Sequence, residues 1–161
     1  DAAIIKAIIQ ILKNENIKVI SSIFYNPELA LNRGNYSNTT PTQIDRNSIK
    51  KGISFFNKFN NLDHVQALIV KDGKVLSKED NRGTKKMLSN LKKSSGGILI
   101  KFPKKKQDLR MDLPTVGLNT FKDCKKIGLK GIVLKSKKNI FLDKLKCINF
   151  ANRNRVFIKV I

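Results

Sequence analysis

Several residue types that build enzyme sites are scarce in this sequence of 161 residues. It has no tryptophan, one histidine (His64) and two cysteines, Cys124 and Cys147. One histidine leaves little material for a histidine metal cage or a Ser-His-Asp triad. The cysteines lie far apart and form no Cys-x-x-Cys pair, which excludes a zinc ribbon and indicates reduced thiols in a cytosolic protein. Each falls on an apolar helical face, so we expect both to pack in the core.

Acidic residues and long apolar runs are also few. Twelve acids face 33 basic residues, giving a net charge of +21, and no apolar run approaches membrane-spanning length. The charge predicts an anionic partner such as nucleic acid, anionic lipid or nucleotide phosphates. However, 27 of the basic residues are lysine. Lysine has A/T-rich codons, as do the abundant Ile and Asn, so genome composition could account for much of the charge. Specific phosphate and base contacts, by contrast, favour arginine. Nucleic acid is therefore not the favoured partner, but a negatively charged ligand is.

The apolar residues that are present alternate between helical and strand spacing along the whole chain. A length of 161 residues fits one domain with a real core, and no internal repeat or interdomain linker is visible. We therefore predict a single domain over residues 1–161, of α/β class, with a mixed β-sheet flanked by helices.

Individual elements follow from the same spacing and from turn residues. We expect a short strand at Ile17–Ile20 and an irregular connection over 21–38. The string 40–43 (Thr-Pro-Thr-Gln) predicts a helix start with Thr40 as its cap, and Asp143 is the expected cap of the last helix. The remaining predicted helices are 3–14, 44–59, 83–93, 119–127 and 144–152, and the remaining strands are 65–70, 74–77, 97–101, 132–135, 140–142 and 156–161.

The loop after the predicted strand 97–101 is the strongest site candidate. It holds Asp108 and Asp112 among several cations, where carboxylates can keep their charge and bind a divalent metal or act as a base. Arg110 between them could fork onto a phosphate or pair with a neighbouring acid. Lys101, at the end of the strand, is a second phosphate candidate. The competing interpretation is a solvated basic loop with two incidental acids.

A second candidate lies at the predicted strand-to-helix junction 79–86. Gly83 allows close backbone approach, Thr84 adds a hydroxyl, and a helix start suits a phosphate. The glycine spacing of a Walker P-loop is absent. Thr84 could instead be only a helix cap.

Taken together, these stretches resemble one known family. The matching stretches are 63–79, 83–84, 97–103, 107–120 and, more loosely, 151–161, and the most specific string is Gln-Asp-Leu-Arg-Met-Asp-Leu-Pro-Thr-Val-Gly at 107–117. The family is the UDP-2,3-diacylglucosamine pyrophosphatase of the lipid A pathway, in its form unrelated to calcineurin-like phosphatases. The resemblance covers only the family's carboxyl-terminal, lipid- and substrate-binding domain. Its amino-terminal Rossmann-like domain has no counterpart here, and the chain opens at Asp1 without Met, so we expect a fragment.

The resemblance implies a Mg²⁺-dependent hydrolase that splits UDP-2,3-diacylglucosamine into UMP and 2,3-diacylglucosamine 1-phosphate (lipid X). It implies a cytoplasmic protein, with peripheral contact to inner-membrane lipid. Asp108 and Asp112 would be catalytic, and Asp108 would also bind the metal. The residues implied to contact substrate are Gly83, Thr84, Lys101, Gln107, Arg110 and Thr115.

The chain departs from the family pattern at a few positions. Arg82 and Lys85 stand beside the Gly-Thr pair, where the family usually has acids, and the acid expected near Ala2 is absent. Two functions from different classes therefore follow. The first is the substrate- and product-binding domain of that hydrolase, and the second is a basic, non-catalytic module for nucleic acid or anionic lipid.

Overall fold

The computed structural model describes residues 2–58, 65–93, 96–105 and 107–161. Its α-helices are α1 (Ala2–Asn14), α2 (Ser22–Tyr25), α3 (Gln43–Lys58), α4 (Gly83–Ser89), α5 (Leu118–Lys126) and α6 (Lys144–Arg153), with a 3₁₀ turn at Pro27–Leu29. Its strands are β1 (Gly34–Asn35), β2 (Ala67–Lys71), β3 (Lys74–Lys78), β4 (Ile98–Lys101), β5 (Thr115–Val116), β6 (Gly131–Leu134), β7 (Ile140–Phe141) and β8 (Phe157–Val160).

Six strands form one mixed sheet in the order β1-β8-β6-β4-β2-β3. The central strands β4, β6 and β8 run parallel, while β1, β2 and β3 pair antiparallel to their neighbours. β5 and β7 form a separate two-stranded parallel sheet. The predicted α/β class with a mixed sheet flanked by helices is confirmed.

Both faces of the sheet are covered, which is why its central strands are apolar throughout. α3 packs on one face through Ile49, against Ile98, Ile100 and Val133. The opposite face packs against α4, α5 and α6, and both cysteines are free thiols buried there. Burial raises the pKa of Cys147 to about 11, which keeps this thiol protonated and inert.

The parallel arrangement brings the carboxyl ends of β4, β6 and β8 to the same edge of the sheet. The buried side chain of Asn139 fastens two of these ends together. Its Oδ1 accepts from the Lys135 backbone N–H at 2.9 Å, and its Nδ2 donates to the Lys101 carbonyl at 3.1 Å. Ligands of α/β sheets bind at this edge, so Asn139 helps to fix the backbone around the expected ligand site.

The turn between β2 and β3 is as the sequence predicts. Asp72 and Gly73 have φ of 48° and 72°, the conformation of a type I′ hairpin turn. The antiparallel pairing of β2 with β3 follows directly from it.

Several element predictions are wrong. Ile17–Ile20 belongs to no strand of the described residues. The connection predicted over 21–38 contains α2, the 3₁₀ turn and β1, which pairs with β8. α4 ends at Ser89 rather than Lys93. His64 and the predicted helix end at Phe59 lie outside the described residues.

The two predicted helix caps are also corrected. α3 begins after Thr42, whose Oγ1 accepts from the Asp45 N–H at 3.2 Å while Asp45 Oδ2 accepts from the Thr42 N–H at 2.9 Å. The reciprocal capping pair is thus two residues later than Thr40. Asp143 does precede α6, but it adopts a left-handed conformation and forms no side-chain cap bond. Its carboxylate lies 3.5 Å from Lys146 Nζ instead.

The segment from α1 to α2 leaves much of its apolar surface uncovered. Ile4 and Ile11 of α1 are 60% and 62% exposed, and Phe24 and Tyr25 of α2 are more than two-thirds exposed. Within the described ranges, no helix is both long and apolar enough to cross a membrane.

Candidate functional site at the carboxyl edge of the sheet

The carboxyl end of β4 divides two cavities. Successive residues of an extended chain point to opposite faces, so Lys101 faces α5 while Phe102 packs on the α3 side. We name the cavities after these residues. The Lys101 pocket, of about 300 Å³, is lined by Glu79, Arg82, Gly83, Thr84, Lys85, Leu88, Lys101, Thr120 and Asp123. The Phe102 pocket, of about 670 Å³, is lined by Ile53, Phe55, Phe56, Asn57, Val65, Phe102, Pro103, Lys104, Lys105, Gln107, Leu109, Lys135 and Lys138.

A buried carboxylate organises the Lys101 pocket. Glu79 is only 7% exposed and comes directly after β3. Its Oε1 accepts from the Thr84 hydroxyl at 2.8 Å, and its Oε2 accepts from the Gln66 backbone N–H at 2.9 Å. Thr84 is therefore not the cap of α4. It is held in the pocket wall by Glu79.

Lys101 brings a positive charge into the same pocket. Its side chain is 9% exposed, and burial lowers its pKa, although the negative charge of Glu79 acts in the opposite direction. A buried ammonium gains from any further anion that enters. Lys85 also lines the pocket and adds to its positive charge. This arrangement suits an anionic group such as a phosphate.

The rim of the Lys101 pocket carries a local ion pair. Arg82 Nη2 lies 2.5 Å from Asp80 Oδ2, and the Arg82 backbone N–H also reaches Asp80 Oδ1. Hydrogen bonds from Arg82 lower the pKa of the Asp80 carboxyl. Gly83 follows with φ of 85°, a conformation that favours glycine. The residues that depart from the family pattern, Arg82 and Lys85, thus both line this pocket.

In the 107–117 loop, Asp108 and Arg110 form an ion pair. Arg110 Nε donates to Asp108 Oδ1 at 2.9 Å and Nη2 donates to Oδ2 at 2.6 Å, so both carboxylate oxygens are engaged. The hydrogen bond from Arg110 lowers the pKa of Asp108 to about 2. Of the two roles that the sequence left open for Arg110, the pairing with a neighbouring acid is the one seen.

The other predicted site residues lie apart from the Lys101 pocket. Gln107 lines the Phe102 pocket. Arg110 lines a separate open cleft with α1 and residues 16–25. Asp112 donates its backbone N–H to the Asp108 carbonyl at 2.9 Å. Thr115 is exposed in β5, and its hydroxyl donates to the Leu113 carbonyl at 3.2 Å. Of the eight predicted residues, the structure brings Gly83, Thr84 and Lys101 together.

A preorganised magnesium cage does not fit these side chains. Across the residues that the structure describes, no group of three or more His, Cys, Asp or Glu could hold an ion. Both carboxylate oxygens of Asp108, the predicted metal ligand, already accept hydrogen bonds from Arg110.

Sequence reasoning missed three features of this edge. Glu79 falls in the matched stretch 63–79, but its role as the acceptor for Thr84 depends on tertiary contact. Asn139 lies far along the chain from Lys101 and gives no local signal. The Phe102 pocket is built from α3, Val65, the segment that follows β4 and the loop that follows β6. Only the lysines at 104, 105, 135 and 138 could have pointed to it.

Fold and pockets together define an α/β domain whose anion-compatible site lies at the carboxyl edge of its parallel strands. Sequence comparison gives the family: the LpxI C-terminal domain model matches residues 32–159, and the chain belongs to that family. The resemblance based on the 107–117 string is confirmed.

A curated relative extends the match beyond the family model. The UDP-2,3-diacylglucosamine pyrophosphatase LpxI of Caulobacter vibrioides is 26% identical over 168 residues, which cover 98% of this chain and 60% of the relative. The chain thus spans less than two-thirds of the length of that protein. Most residues before 32 lie outside the family model but inside this longer match, which covers 98% of the chain.

Proposed function

We propose that this chain is the substrate- and product-binding part of a hydrolase that cleaves UDP-2,3-diacylglucosamine to UMP and lipid X. Membership of the LpxI C-terminal domain family and the printed activity of the Caulobacter relative support the reaction class. The observation that carries the proposal is the buried ammonium of Lys101 in a pocket that Lys85 and Arg82 also line. Such a pocket suits the phosphate that substrate and product share.

The chemistry asks for charge neutralisation and a positioned water more than for a protein nucleophile. Lys101 would neutralise a phosphate oxygen from its buried position. Arginine binds phosphate as readily as carboxylate, in the same forked geometry. Arg110 lines a cleft separate from the Lys101 pocket. We therefore infer that a second phosphate of the pyrophosphate takes Arg110 away from Asp108, which frees the carboxylate to orient the attacking water. Asp112, in the same loop, would support that role.

The Mg²⁺ requirement stays a prediction. Magnesium is commonly held by one or two carboxylates together with substrate phosphates rather than by an all-protein cage. We expect 5 mM MgCl₂ alone to leave the melting temperature of the chain unchanged. A clear rise without substrate would contradict this expectation and indicate a preformed protein site.

We also propose that the exposed face of α1 and residues 17–25 packs against a further α/β domain in a longer protein. α1 carries apolar residues around most of its circumference, which is typical of a buried helix. Three of the four residues in the run Ile17–Ile20 are β-branched, yet the run belongs to no strand of the described residues. Both features fit a helix and strand that complete another domain's sheet. A dimer of this chain in light scattering, abolished by Ile8→Asp, would show a second copy in that place and contradict the proposal.

A cytoplasmic location with peripheral contact to inner-membrane lipid completes the proposal, since the substrate is a lipid.

Binding of lipid X tests the proposed function. Calorimetric titration of the chain with lipid X at 50 mM and 300 mM salt should give a moderate salt dependence, because one buried site makes most of the contact. A single-stranded oligonucleotide should bind more weakly, with a steeper salt dependence. Tighter binding of the oligonucleotide at both salt concentrations would favour the basic binding module instead.

A further inference from the structure

The Phe102 pocket differs from the Lys101 pocket in both size and chemistry. Its volume of about 670 Å³ is more than twice the 300 Å³ of the Lys101 pocket. Cavities of a few hundred to a thousand Å³ are typical ligand sites. The apolar side chains that line it are Ile53, Phe55, Phe56, Val65, Phe102 and Leu109. A ligand placed there would bury substantial apolar surface.

The polar part of the lining has one sign of charge. Lys104, Lys105, Lys135 and Lys138 line the cavity, and none of the lining residues in the described part of the chain is acidic. Asp108, which lies between the lining residues Gln107 and Leu109 in the sequence, forms an ion pair with Arg110. The cavity therefore combines an apolar wall with a cationic border, which is the complement of an anionic amphiphile.

One buried donor in the lining has no partner among the described residues. Gln107 Oε1 accepts from the Lys104 backbone N–H at 2.8 Å, which fixes the orientation of the amide. Its Nε2 is shielded from solvent and finds no hydrogen-bond partner within the described residues. Buried donors are nearly always satisfied in folded proteins. A ligand oxygen that accepts from Nε2 would resolve this exception.

The aromatic rings of the pocket are not arranged to stack a nucleobase. Phe56 and Phe102 are stacked on each other, with ring centroids 5.5 Å apart and an interplanar angle of 21°. Lys135 Nζ lies 5.6 Å from the centroid of Phe102. Because Phe102 already makes both of these ring contacts, a flexible apolar chain fits the cavity better than a planar base.

We propose that the Phe102 pocket binds an acyl chain of an anionic lipid, with the lysines around its charged head and a head-group or acyl oxygen accepting from Gln107 Nε2. The inference rests on the proposed function for the identity of that lipid as the diacylglucosamine substrate.

The test uses alkyl phosphates as probes, each below its micelle concentration. Octyl, decyl and dodecyl phosphate are titrated into the chain by calorimetry, with inorganic phosphate and UMP for comparison. Affinity should rise by up to about fourfold per buried methylene, the ratio that corresponds to transferring one CH₂ out of water. Equal affinity for inorganic phosphate and the alkyl phosphates would overturn the proposal, as would displacement of dodecyl phosphate by UMP in a competition titration.

Two variants locate the binding. Ile53→Trp fills the cavity and should lower dodecyl phosphate affinity at least tenfold. Gln107→Leu is similar in size and removes the amide donor, together with the acceptor for the Lys104 backbone N–H. It should weaken binding severalfold in the folded variant, and it supplies a second measurement if Ile53→Trp does not fold. Lys122→Glu, an exposed change on α5 outside the pocket, is the charge control and should alter affinity less than twofold. Unchanged dodecyl phosphate binding in Gln107→Leu and in a folded Ile53→Trp would sink the proposal.

Failure of this inference is distinguishable from failure of the proposed function. If lipid X binds and its affinity is the same in Ile53→Trp and Gln107→Leu, the proposal that the Phe102 pocket binds the acyl chain is wrong, while the proposed function stands. If lipid X does not bind while dodecyl phosphate still depends on Gln107, the pocket is an acyl-chain site and the proposed substrate is wrong.

Discussion

At the scale of single residues, the Lys101 pocket combines one buried acid, one buried cation and one hydroxyl. Glu79 accepts from Thr84 and from the Gln66 backbone, and Lys101 faces the same space. Each of these groups would be costly to bury alone, since a buried polar group needs a partner. Their roles can be separated because the hydroxyl bond is structural, whereas the ammonium is available to a ligand.

Lys101→Met should remove phosphate binding with little loss of stability. Methionine retains most of the apolar stem and removes a charge that burial disfavours. The free energy of unfolding, from urea denaturation, should change by no more than about 1.5 kcal/mol, while lipid X affinity falls at least tenfold. Lys122→Met, on the exposed surface, should change neither quantity. Retained affinity in Lys101→Met would remove Lys101 from the site.

Thr84→Val should destabilise the chain rather than only weaken a helix end. The substitution removes a 2.8 Å hydrogen bond to buried Glu79, and leaving such an acceptor unsatisfied costs about 1–3 kcal/mol. Lipid X binding should fall as well, because Thr84 lines the pocket. Thr84→Ser keeps the hydroxyl and should restore most of the stability. If Thr84→Val binds normally despite a lower melting temperature, Thr84 has only a structural role.

Asp108→Ala in a full-length family member with the same loop should abolish UMP release and leave the fold intact. The exposed pair with Arg110 contributes only about 0–1 kcal/mol to stability. Substrate affinity should survive or rise, because a repulsive carboxylate is removed and Arg110 is released. Near-normal turnover would contradict the role of Asp108 and favour Asp112.

The same ion pair has a pH signature with a definite sign. The pKa of Asp108 is lowered from 3.8 to about 2 in the folded chain, so its stabilising contact is fully present above pH 4 and is lost as the pH falls toward 2. An NMR titration of the Asp108 carboxyl carbon should show this low midpoint. Arg110→Gln removes the guanidinium but keeps the backbone N–H at this position, so it should raise the pKa of Asp108 toward its ordinary value.

At the scale of elements, the approach of α3 to the sheet sets the shape of the Phe102 pocket. Gly52 lets the helix pack closely, since a Cβ there would lie 2.5 Å from Ile100 Cδ1 and 2.8 Å from Val70 Cγ1. A further link comes from Asp45 near the start of α3, which pairs with Lys130 Nζ at 2.5 Å. Burial acts to raise the pKa of Asp45, but the hydrogen bonds from Lys130 and Thr42 lower it overall.

Gly52→Val should therefore destabilise the chain and disturb the Phe102 pocket. Overpacking of this kind typically costs about 1–3 kcal/mol, measurable by urea denaturation. Dodecyl phosphate affinity should fall in the folded variant because α3 moves away from Phe102. Gly34→Ala is the matched control, since a Cβ there meets Tyr36 at an ordinary 3.6 Å. Equal free energies of unfolding in the two variants would show that the space between α3 and the sheet accommodates the larger side chain.

At the scale of the whole molecule, the chain matches 60% of the length of its Caulobacter relative and leaves the apolar face of α1 exposed. We expect it to bind lipid X weakly and to hydrolyse UDP-2,3-diacylglucosamine slowly or not at all. Incomplete positioning of substrate can forfeit up to about 7–11 kcal/mol of barrier reduction. UMP release by the purified chain, beside a full-length family member, measures this directly, and matching turnover would refute it.

Local sequence determined the alternation of helices and strands, the Asp72-Gly73 hairpin, the burial of both cysteines and the family, because each depends on spacing or on a contiguous string. Only the tertiary structure decided the rest. Ile17–Ile20 has the composition of a strand but pairs with no strand among the described residues, and pairing requires a partner that the local sequence cannot supply. The bond from Thr84 to Glu79, the bridge from Asn139 to Lys101 and the Phe102 pocket all join residues distant along the chain. Packing α3 and α5 on opposite faces of one strand end is what placed Lys101 and Phe102 in two different pockets.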